Sequence, residues 1–377
     1  MFLRDVYGQA HVKHLLREYV AQKRLPHALL FTGNEGSGGF PLALAYAQYV
    51  NCTNPTPEGD SCGECWSCRM YQQLRHPDFH FHAPYAGTLE EQLKAGEVAP
   101  VDRLKQLLQE TPYLTQAQWS LQWSKDGSKK IRLPIEAVRD ILDDITNARL
   151  GDGFRVYLIY LPEMMDEDAA NKLLKTLEEP SPYTLFLLVS LRPELLLPTI
   201  RSRVQEIFVP PLTPEDLSSA FAHEGIISPQ VESAVRIAQG SYIVARSLIL
   251  HHETPYLSWL QQLLRLAYLR DYESMLGWAD NMAKMGREEQ RQILYYFAQM
   301  IREMFIIHLG REDLTLILGE ELEFARKVSP FVDGANIGKF LQQYTEAYKQ
   351  VNDNCNMTIV YTDLAIRHAK LIKKPKK

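Results

Sequence analysis

Ala28-Leu29-Leu30-Phe31-Thr32-Gly33-Asn34-Glu35-Gly36-Ser37-Gly38-Gly39-Phe40 decides how this chain folds. After Pro26, the four apolar residues read as a short strand buried on both faces, and the glycines that follow permit a tight turn in which backbone amides can curl around an anion. Leu42 to Val50 then reads as a helix, and residues 10 to 25 carry Val12, Leu15, Leu16, Tyr19 and Val20 at helical spacing. Two more uninterrupted apolar runs, Val156 to Tyr160 and Leu185 to Val189, are expected as buried strands, with a helix from Asp166 to Glu179 stopped by Pro180. Apolar strands alternating with helices predict a parallel sheet covered on both faces.

From Pro210-Pro211 onward the strand-like runs stop and helical stripes take over, at 214–223, 229–238, 256–271, 287–309 and 336–350. The division expected is an α/β domain over 1–210, a small helical domain over 211–252 and a larger all-helical domain over 253–377. Gly87, Gly96, Pro100, Pro112 and the Trp119/Trp123 pair interrupt the α/β alternation, so about 83–130 reads as an insertion. The chain has 377 residues, 46% of them apolar, and a formal charge of -5, which gives no overall drive toward a polyanion. Arg367, Lys370, Lys373, Lys374, Lys376 and Lys377 form a basic tail that reads as a solvated terminus. The N-terminal residues mix charges through their apolar positions, and no run of about 18 uncharged apolar residues follows. A soluble protein that is neither exported nor membrane-bound is expected.

Four of the five cysteines fall close together as Cys52-x9-Cys62-x2-Cys65-x2-Cys68. Pairs with two-residue spacers suit tetrahedral thiolate coordination of Zn²⁺, and a complete set of four describes a structural rather than a catalytic metal. Two disulfides or free thiols are the alternative. Cys355 reads as a small core residue, and His76, His80 and His82 fit a strand at a sheet edge better than a second metal site.

The glycine loop lacks part of its chemistry. A phosphate loop wants Lys and then Ser or Thr after its last glycine, for the β and γ phosphates and for Mg²⁺, and here Gly39 and Phe40 hold those slots. The strand ending at Leu161-Pro162 supplies no carboxylate to Mg²⁺, and Glu163, Asp166 and Asp168 come later. Gly33, Gly36, Gly38 and Gly39 remain candidates for a degenerate nucleotide contact. A plain glycine turn in another fold is the bland reading of this loop.

Several segments together resemble the delta-prime subunit family of the bacterial DNA polymerase III clamp loader, within the AAA+ class. They are Gly8-Gln9, Arg24-Leu25-Pro26-His27-Ala28, the cysteine knuckle, His76-Pro77-Asp78, Asn171 to Pro180 (NKLLKTLEEP) and Thr199-Ile200-Arg201-Ser202-Arg203. The resemblance is strong over about the first 210 residues and weak beyond. It implies an AAA+ P-loop α/β domain with a zinc knuckle, a helical lid and a C-terminal helical collar. The family's Ser-Arg-Cys motif, Ser202-Arg203-Val204 here, implies that Arg203 is an arginine finger reaching a neighbouring subunit's ATP site; Arg201 is the second choice, and an ordinary ion pair the bland one. A helix resembling sensor 2 has Ile243 where an arginine would touch nucleotide. These losses favour delta-prime over the motor subunits, so the implied role is a non-hydrolysing, cytoplasmic subunit. Its partners would be gamma/tau-type motor subunits, the delta subunit, and, through the complex, the sliding clamp and primer-template DNA. Whether the loop still holds ATP stays open. The rivals are an ATP-hydrolysing AAA+ motor and a zinc-dependent nucleic-acid-binding module, the latter opposed by Glu58, Asp60 and Glu64 in the knuckle.

Overall fold

The computed structural model describes residues 1–87, 99–123, 130–145, 151, 153–227, 231–250, 256–317, 319–352 and 355–372. They form two compact units, Met1–Gly225 with Gln239–Ile243, and Ile226–Ala238 with Val244–Lys377. The segment 211–252, set apart from the sequence as a small helical domain, is shared between them.

The first unit is built on five parallel strands: β1 (Ala28–Thr32), β2 (Phe79–His82), β3 (Arg155–Tyr160), β4 (Thr184–Ser190) and β5 (Gln205–Phe208). Their order across the sheet is β2-β3-β4-β1-β5. Every residue of β1, β3 and β4 is buried, as their apolar runs demand, because helices α2 (Gly39–Val50) and α7 (Glu167–Glu178) belong to the layers that cover them. The edge strands differ: β2 alternates buried Phe79 and Phe81 with half-buried His80 and His82, and β5 buries only Ile207. β1 and β4 lie side by side, yet β1 is followed in sequence by β2 on one side and β4 by β5 on the other. A crevice opens where neighbouring parallel strands send their connections in opposite directions, and Gly33–Gly38 occupies it at the carboxyl end of β1.

Between β1 and β3 the chain makes α3 (Trp66–Gln72), α4 (Pro100–Glu110), α5 (Gln116–Leu121) and α6 (Ile135–Ile145). The stretch read as an insertion is thus part of the core: Leu104, Leu107, Trp119 and Trp123 are buried in the same cluster as the sheet, and the Trp119 indole donates to the Pro84 carbonyl at 2.6 Å. Residues 88–98 and 124–129 of it lie outside the described residues, as do Lys373, Lys374, Lys376 and Lys377 of the basic tail. The rest of the first unit is α1 (Ala10–Ala21), α8 (Pro198–Arg201), α9 (Pro214–His223) and the first two residues of α11 (Tyr242–Leu250).

The second unit is helical throughout its described residues: α10 (Val231–Ile237), α12 (Tyr256–Leu269), α13 (Tyr272–Ala283), α14 (Arg287–His308), α15 (Gly319–Val328), α16 (Ile337–Asn352) and α17 (Met357–Leu371), with the rest of α11. The stripes of α14, α16 and α17 converge on Phe297, Phe340, Tyr344 and Tyr361. Within this core the Tyr344 hydroxyl lies 2.7 Å from His368 Nε2, and His368 Nδ1 lies 2.8 Å from the Leu364 carbonyl. Burial lowers the His368 pKa to about 4, so the ring is neutral and bonded on both nitrogens. Cys355 departs from expectation, being exposed at the turn before α17 rather than packed in a core. No described helix is long and apolar enough to cross a membrane.

At Gly36 the backbone comes close to the start of α11. The Gly36 φ is +85°, and a Cβ there would lie 2.3 Å from Ser241 Oγ and 3.2 Å from the amides of Tyr242 and Ile243. Replacing Gly36 by Ala is expected to destabilise the first unit by at least about 1 kcal/mol, combining left-handed strain with the clash; urea unfolding followed by far-UV circular dichroism would measure the loss.

Candidate functional site

The loop after β1 is held by side chains and amides from three distant segments. Gln9 Nε2 donates to the Ser37 carbonyl at 2.8 Å and to the Pro210 carbonyl at 2.6 Å. Ser241 Oγ donates to the Glu35 carbonyl at 2.8 Å, and the Tyr242 amide to the Gly36 carbonyl at 3.1 Å. The Glu35 carboxylate accepts the Gln116 amide at 2.6 Å. Helix α2 begins at Gly39, so Phe40 sits in its first turn and is turned inward, edge-on to Tyr160 at 5.2 Å and to Phe81 at 6.2 Å.

The space left beside the loop is a cavity of about 20 Å³, lined by Gly33, Gly36, Gly38, Gly39, Tyr113 and Tyr160 among others. That is room for about one water molecule, whereas small-molecule sites run to roughly 300–1,000 Å³. Tyr113 closes it from the α4–α5 connection: its hydroxyl accepts the Tyr7 amide at 2.9 Å, and its ring lies against Tyr7 and Tyr242. Burial pushes the Tyr160 hydroxyl far above the usual tyrosine range, so it stays protonated. Glu163, the first carboxylate after β3, accepts the amides of Leu191 and Arg192 at 3.0 and 3.1 Å and so caps the end of β4. Positions 39 and 40 offer neither an ammonium for the phosphates nor a hydroxyl for Mg²⁺.

A second cluster lies between α2 and α3. The ligating atoms of Cys52, Cys62, Cys65 and Cys68 all fall within 4.8 Å of one another, and among the described residues they are the one such group of metal-ligating side chains. Cys52 and Cys62 sulfurs are 3.6 Å apart and those of Cys62 and Cys68 3.9 Å. A disulfide needs about 2.05 Å, while four thiolates at about 2.3 Å from a tetrahedral ion stand roughly 3.8 Å apart. The cluster therefore fits a metal ion. Backbone amides of Cys62, Cys65 and Cys68 point at the sulfurs of Cys52, Cys62 and Cys65 at 3.3–3.4 Å, spreading the thiolate charge. At Cys65, burial raises the pKa, but the amides of Cys68 and Thr53 and the Thr53 hydroxyl outweigh it and bring the thiol down to about 6. The histidines stay apart from this chemistry: His76 Nδ1 accepts the Asp78 amide at 3.2 Å, and His80 lies 3.1 Å from Asp144.

The knuckle also anchors the N-terminal segment. Asp60, buried at its centre, accepts the amides of Leu3 and Arg4 at 3.1 and 2.9 Å, and Gln48 Nε2 donates to Ser61 Oγ at 2.7 Å. Asp60 is thus consumed internally and does not present its charge at the surface, so of the three knuckle acids expected to repel a polyanion it drops out. The anchored segment continues through Val6 and Tyr7 to the cover of the glycine loop.

The third feature is the corner formed by α7, α8 and the start of β5. Arg203 Nη2 lies 2.5 Å from Glu178 Oε1, and Nη1 donates to the Thr199 carbonyl at 2.8 Å and to Ser202 Oγ at 3.1 Å. Arg201 is paired with Glu206 at 2.9 Å, and Glu206 also accepts the Thr32 hydroxyl at 3.1 Å. Because Gln205 is in register with Leu29 and Phe208 with Thr32, Arg203 stands at the opposite end of the sheet from its own glycine loop.

Comparisons with known proteins lead to subunits of DNA polymerase III. The family described as DNA polymerase III, delta subunit matches residues 8–213, more than half of the chain. DNA polymerase III subunit delta' of Escherichia coli K12 is 27% identical over 347 residues, covering 90% of this chain and 88% of that protein. The chain belongs to the DNA polymerase III delta-prime family. The Haemophilus influenzae delta' subunit is 32% identical over 180 residues, 48% of this chain and 41% of that protein. The tau/gamma subunit of Haemophilus influenzae is 28% identical over 243 residues, 63% of this chain, and the chain spans 29% of its length.

For a delta-prime family member, the geometry brings together some of the residues singled out by sequence and separates others. The four cysteines converge, and Gly33, Gly36, Gly38 and Gly39 share one cavity wall; Arg203 belongs to neither cluster. Gln9 and Ser241 hold the loop and Tyr7 and Tyr113 cover it; of these, Gln9 lies in the Gly8-Gln9 motif and Ser241 stands just before the helix that resembles sensor 2, while the two tyrosines belong to no motif. Tyr113 lies between Pro112 and the buried tryptophans, which was the available signal. Substituting Asp60 by Ala is expected to leave the four sulfurs able to hold a metal but to lower stability by about 2 kcal/mol or more, since two backbone amides lose their acceptor; metal content and thermal melting measured on one preparation would separate the two effects.

Proposed function

We propose that this chain is the non-hydrolysing delta-prime subunit of a clamp-loader complex, and that it delivers Arg203 to the ATP site of a neighbouring subunit. The observation that carries this reading is a mismatch. The fold keeps a phosphate loop whose cavity is reduced to about 20 Å³ and whose lysine and hydroxyl slots hold Gly39 and Phe40, while a guanidinium that water partly reaches stands at the far end of the sheet. An arginine at the opposite end of the sheet from its own loop suits a place beside a neighbouring subunit's triphosphate.

A planar, permanently charged guanidinium hydrogen-bonds two phosphate oxygens at once and neutralises charge building on the transferring phosphoryl group. Supplied in trans, such a group accelerates phosphoryl transfer by about 10³–10⁵. The partners on this reading are gamma/tau-type motor subunits and a delta subunit, with the sliding clamp and primer-template DNA reached through the assembled complex. Residues 1–210 act as the AAA+ domain, 211–252 as a lid and 253–377 as a collar joining the other subunits. Zn²⁺ is the metal that suits four thiolates in a closed structural site. It would hold the knuckle that anchors Leu3 and Arg4, and through them the segment leading to Tyr7. The slot at the end of β3 argues against a motor, because Leu161 and Pro162 carry no carboxylate and Glu163, which follows, has one oxygen engaged by the amides of Leu191 and Arg192.

Two measurements bear on this. Metal analysis of the purified chain is expected to give about one zinc per molecule; chelation, or Cys65→Ser with a second cysteine replaced, should lower the melting temperature. In a complex reconstituted with the motor subunits, Arg203→Ala should reduce ATP turnover at the site it completes by about 10³ or more while the subunit stays folded and zinc-loaded. The isolated wild-type chain, run as a control, should release no phosphate from Mg²⁺-ATP. Full turnover by the Arg203→Ala complex would remove the arginine-finger role, and phosphate release by the isolated chain would refute the non-hydrolysing one.

A further inference from the structure

Glu178 and Glu179 close α7, at the end of a helix where the backbone dipole is negative and a carboxylate is disfavoured. Two acids in that place run against local electrostatics, and such a conflict usually has a functional use. Glu178 has a cationic partner in Arg203, whose Nη2 lies 2.5 Å away. The other side of the guanidinium is held by the Thr199 carbonyl and Ser202 Oγ, both on the short turn that carries the arginine itself. Glu178 is therefore the one group from outside that turn that restrains Arg203 among the described residues.

Arg201, two residues earlier, is built differently. Its partner Glu206 is tied in turn to Thr32 at the end of β1, so that pair is fastened to the sheet. The Glu178 carboxylate is about half exposed and the Arg203 side chain one-third exposed, so water reaches both members of their pair. An exposed Arg–Glu pair is weak, whereas a guanidinium gripping a polyphosphate makes charge-assisted, bidentate bonds. A triphosphate brought to this corner would win the competition.

We infer that Glu178 is a positioning residue which parks the Arg203 guanidinium in the free subunit and yields it to the phosphate of a neighbouring subunit's nucleotide. This rests on the arginine-finger reading given above. The exchange makes Arg203 available only when a stronger anion arrives, and it charges the neighbouring site a small part of its nucleotide affinity for breaking the resident pair. Glu178 acts through Arg203 and touches no reacting atom.

The test is a double-mutant cycle in the reconstituted complex, reading the KM for ATP and the Kd for a non-hydrolysable ATP analogue. Glu178→Gln keeps the side chain's shape and removes its charge. It should lower both constants about two- to fivefold, the range an exposed ion pair commands, with the change in kcat/KM falling on KM. In the Arg203→Ala background the same substitution should shift neither constant. Unchanged constants in the wild-type background, with or without a lower melting temperature, would make Glu178 a purely structural partner and overturn the inference. An equal shift in both backgrounds would overturn it as well, by showing that Glu178 acts without Arg203. Failure of the underlying reading looks different: Arg203→Ala would then leave turnover intact whatever Glu178 does.

Discussion

The first unit turns on the contact between Gly36 and the start of α11. A parallel sheet needs its central strand to end in a turn whose backbone bends sharply, and here the carbonyls of Glu35 and Gly36 are taken up by Ser241 and the Tyr242 amide. The approach is so close that no side chain fits between them. Residues about two hundred positions apart are thereby joined at the point where the strand order reverses, and Gln9 adds a third attachment through the Ser37 carbonyl. The loop keeps its curled shape through the protein's own donors, which is why it survives in a chain that has lost the lysine and hydroxyl of phosphate chemistry.

Aromatic packing completes what those bonds begin. Phe40 fills inward toward Tyr160 and Phe81, and Tyr113 closes over the glycines while accepting the Tyr7 amide. Tyr7 follows directly on the segment that Asp60 anchors at the cysteine knuckle. Knuckle, N-terminal segment and loop cover form one continuous run of contacts, so the four-cysteine cluster beyond α2 helps to fix the residues that cover the glycine loop. The corner bearing Arg203 stands apart, at the other end of the sheet.

Membership of the delta-prime family and the parallel α/β fold could both be read from local pattern. Consecutive apolar residues at Ala28–Phe31, Val156–Tyr160 and Leu185–Val189 can be buried on both faces only in a covered sheet, and the cysteine spacing allows convergence with little help from the rest of the chain. The same kind of pattern gave α7, α9, α14 and α16 nearly to their ends. It did not give α13 or α15, whose stripes are broken by polar residues, nor the exposed place of Cys355.

Sequence by itself thus determined the three central strands, the cysteine spacing and the missing lysine and hydroxyl, since each depends on neighbours along the chain, but not β5, which buries only Ile207. Tertiary structure alone decided that Tyr113 covers the loop, that Asp60 is spent on Leu3 and Arg4 instead of facing solvent, and that Arg203 rests on Glu178. The reason is that these are pairings between residues 25 to more than 100 positions apart, in which each partner taken singly is an ordinary tyrosine, aspartate or arginine. Their roles arise only when the sheet order brings one segment against another.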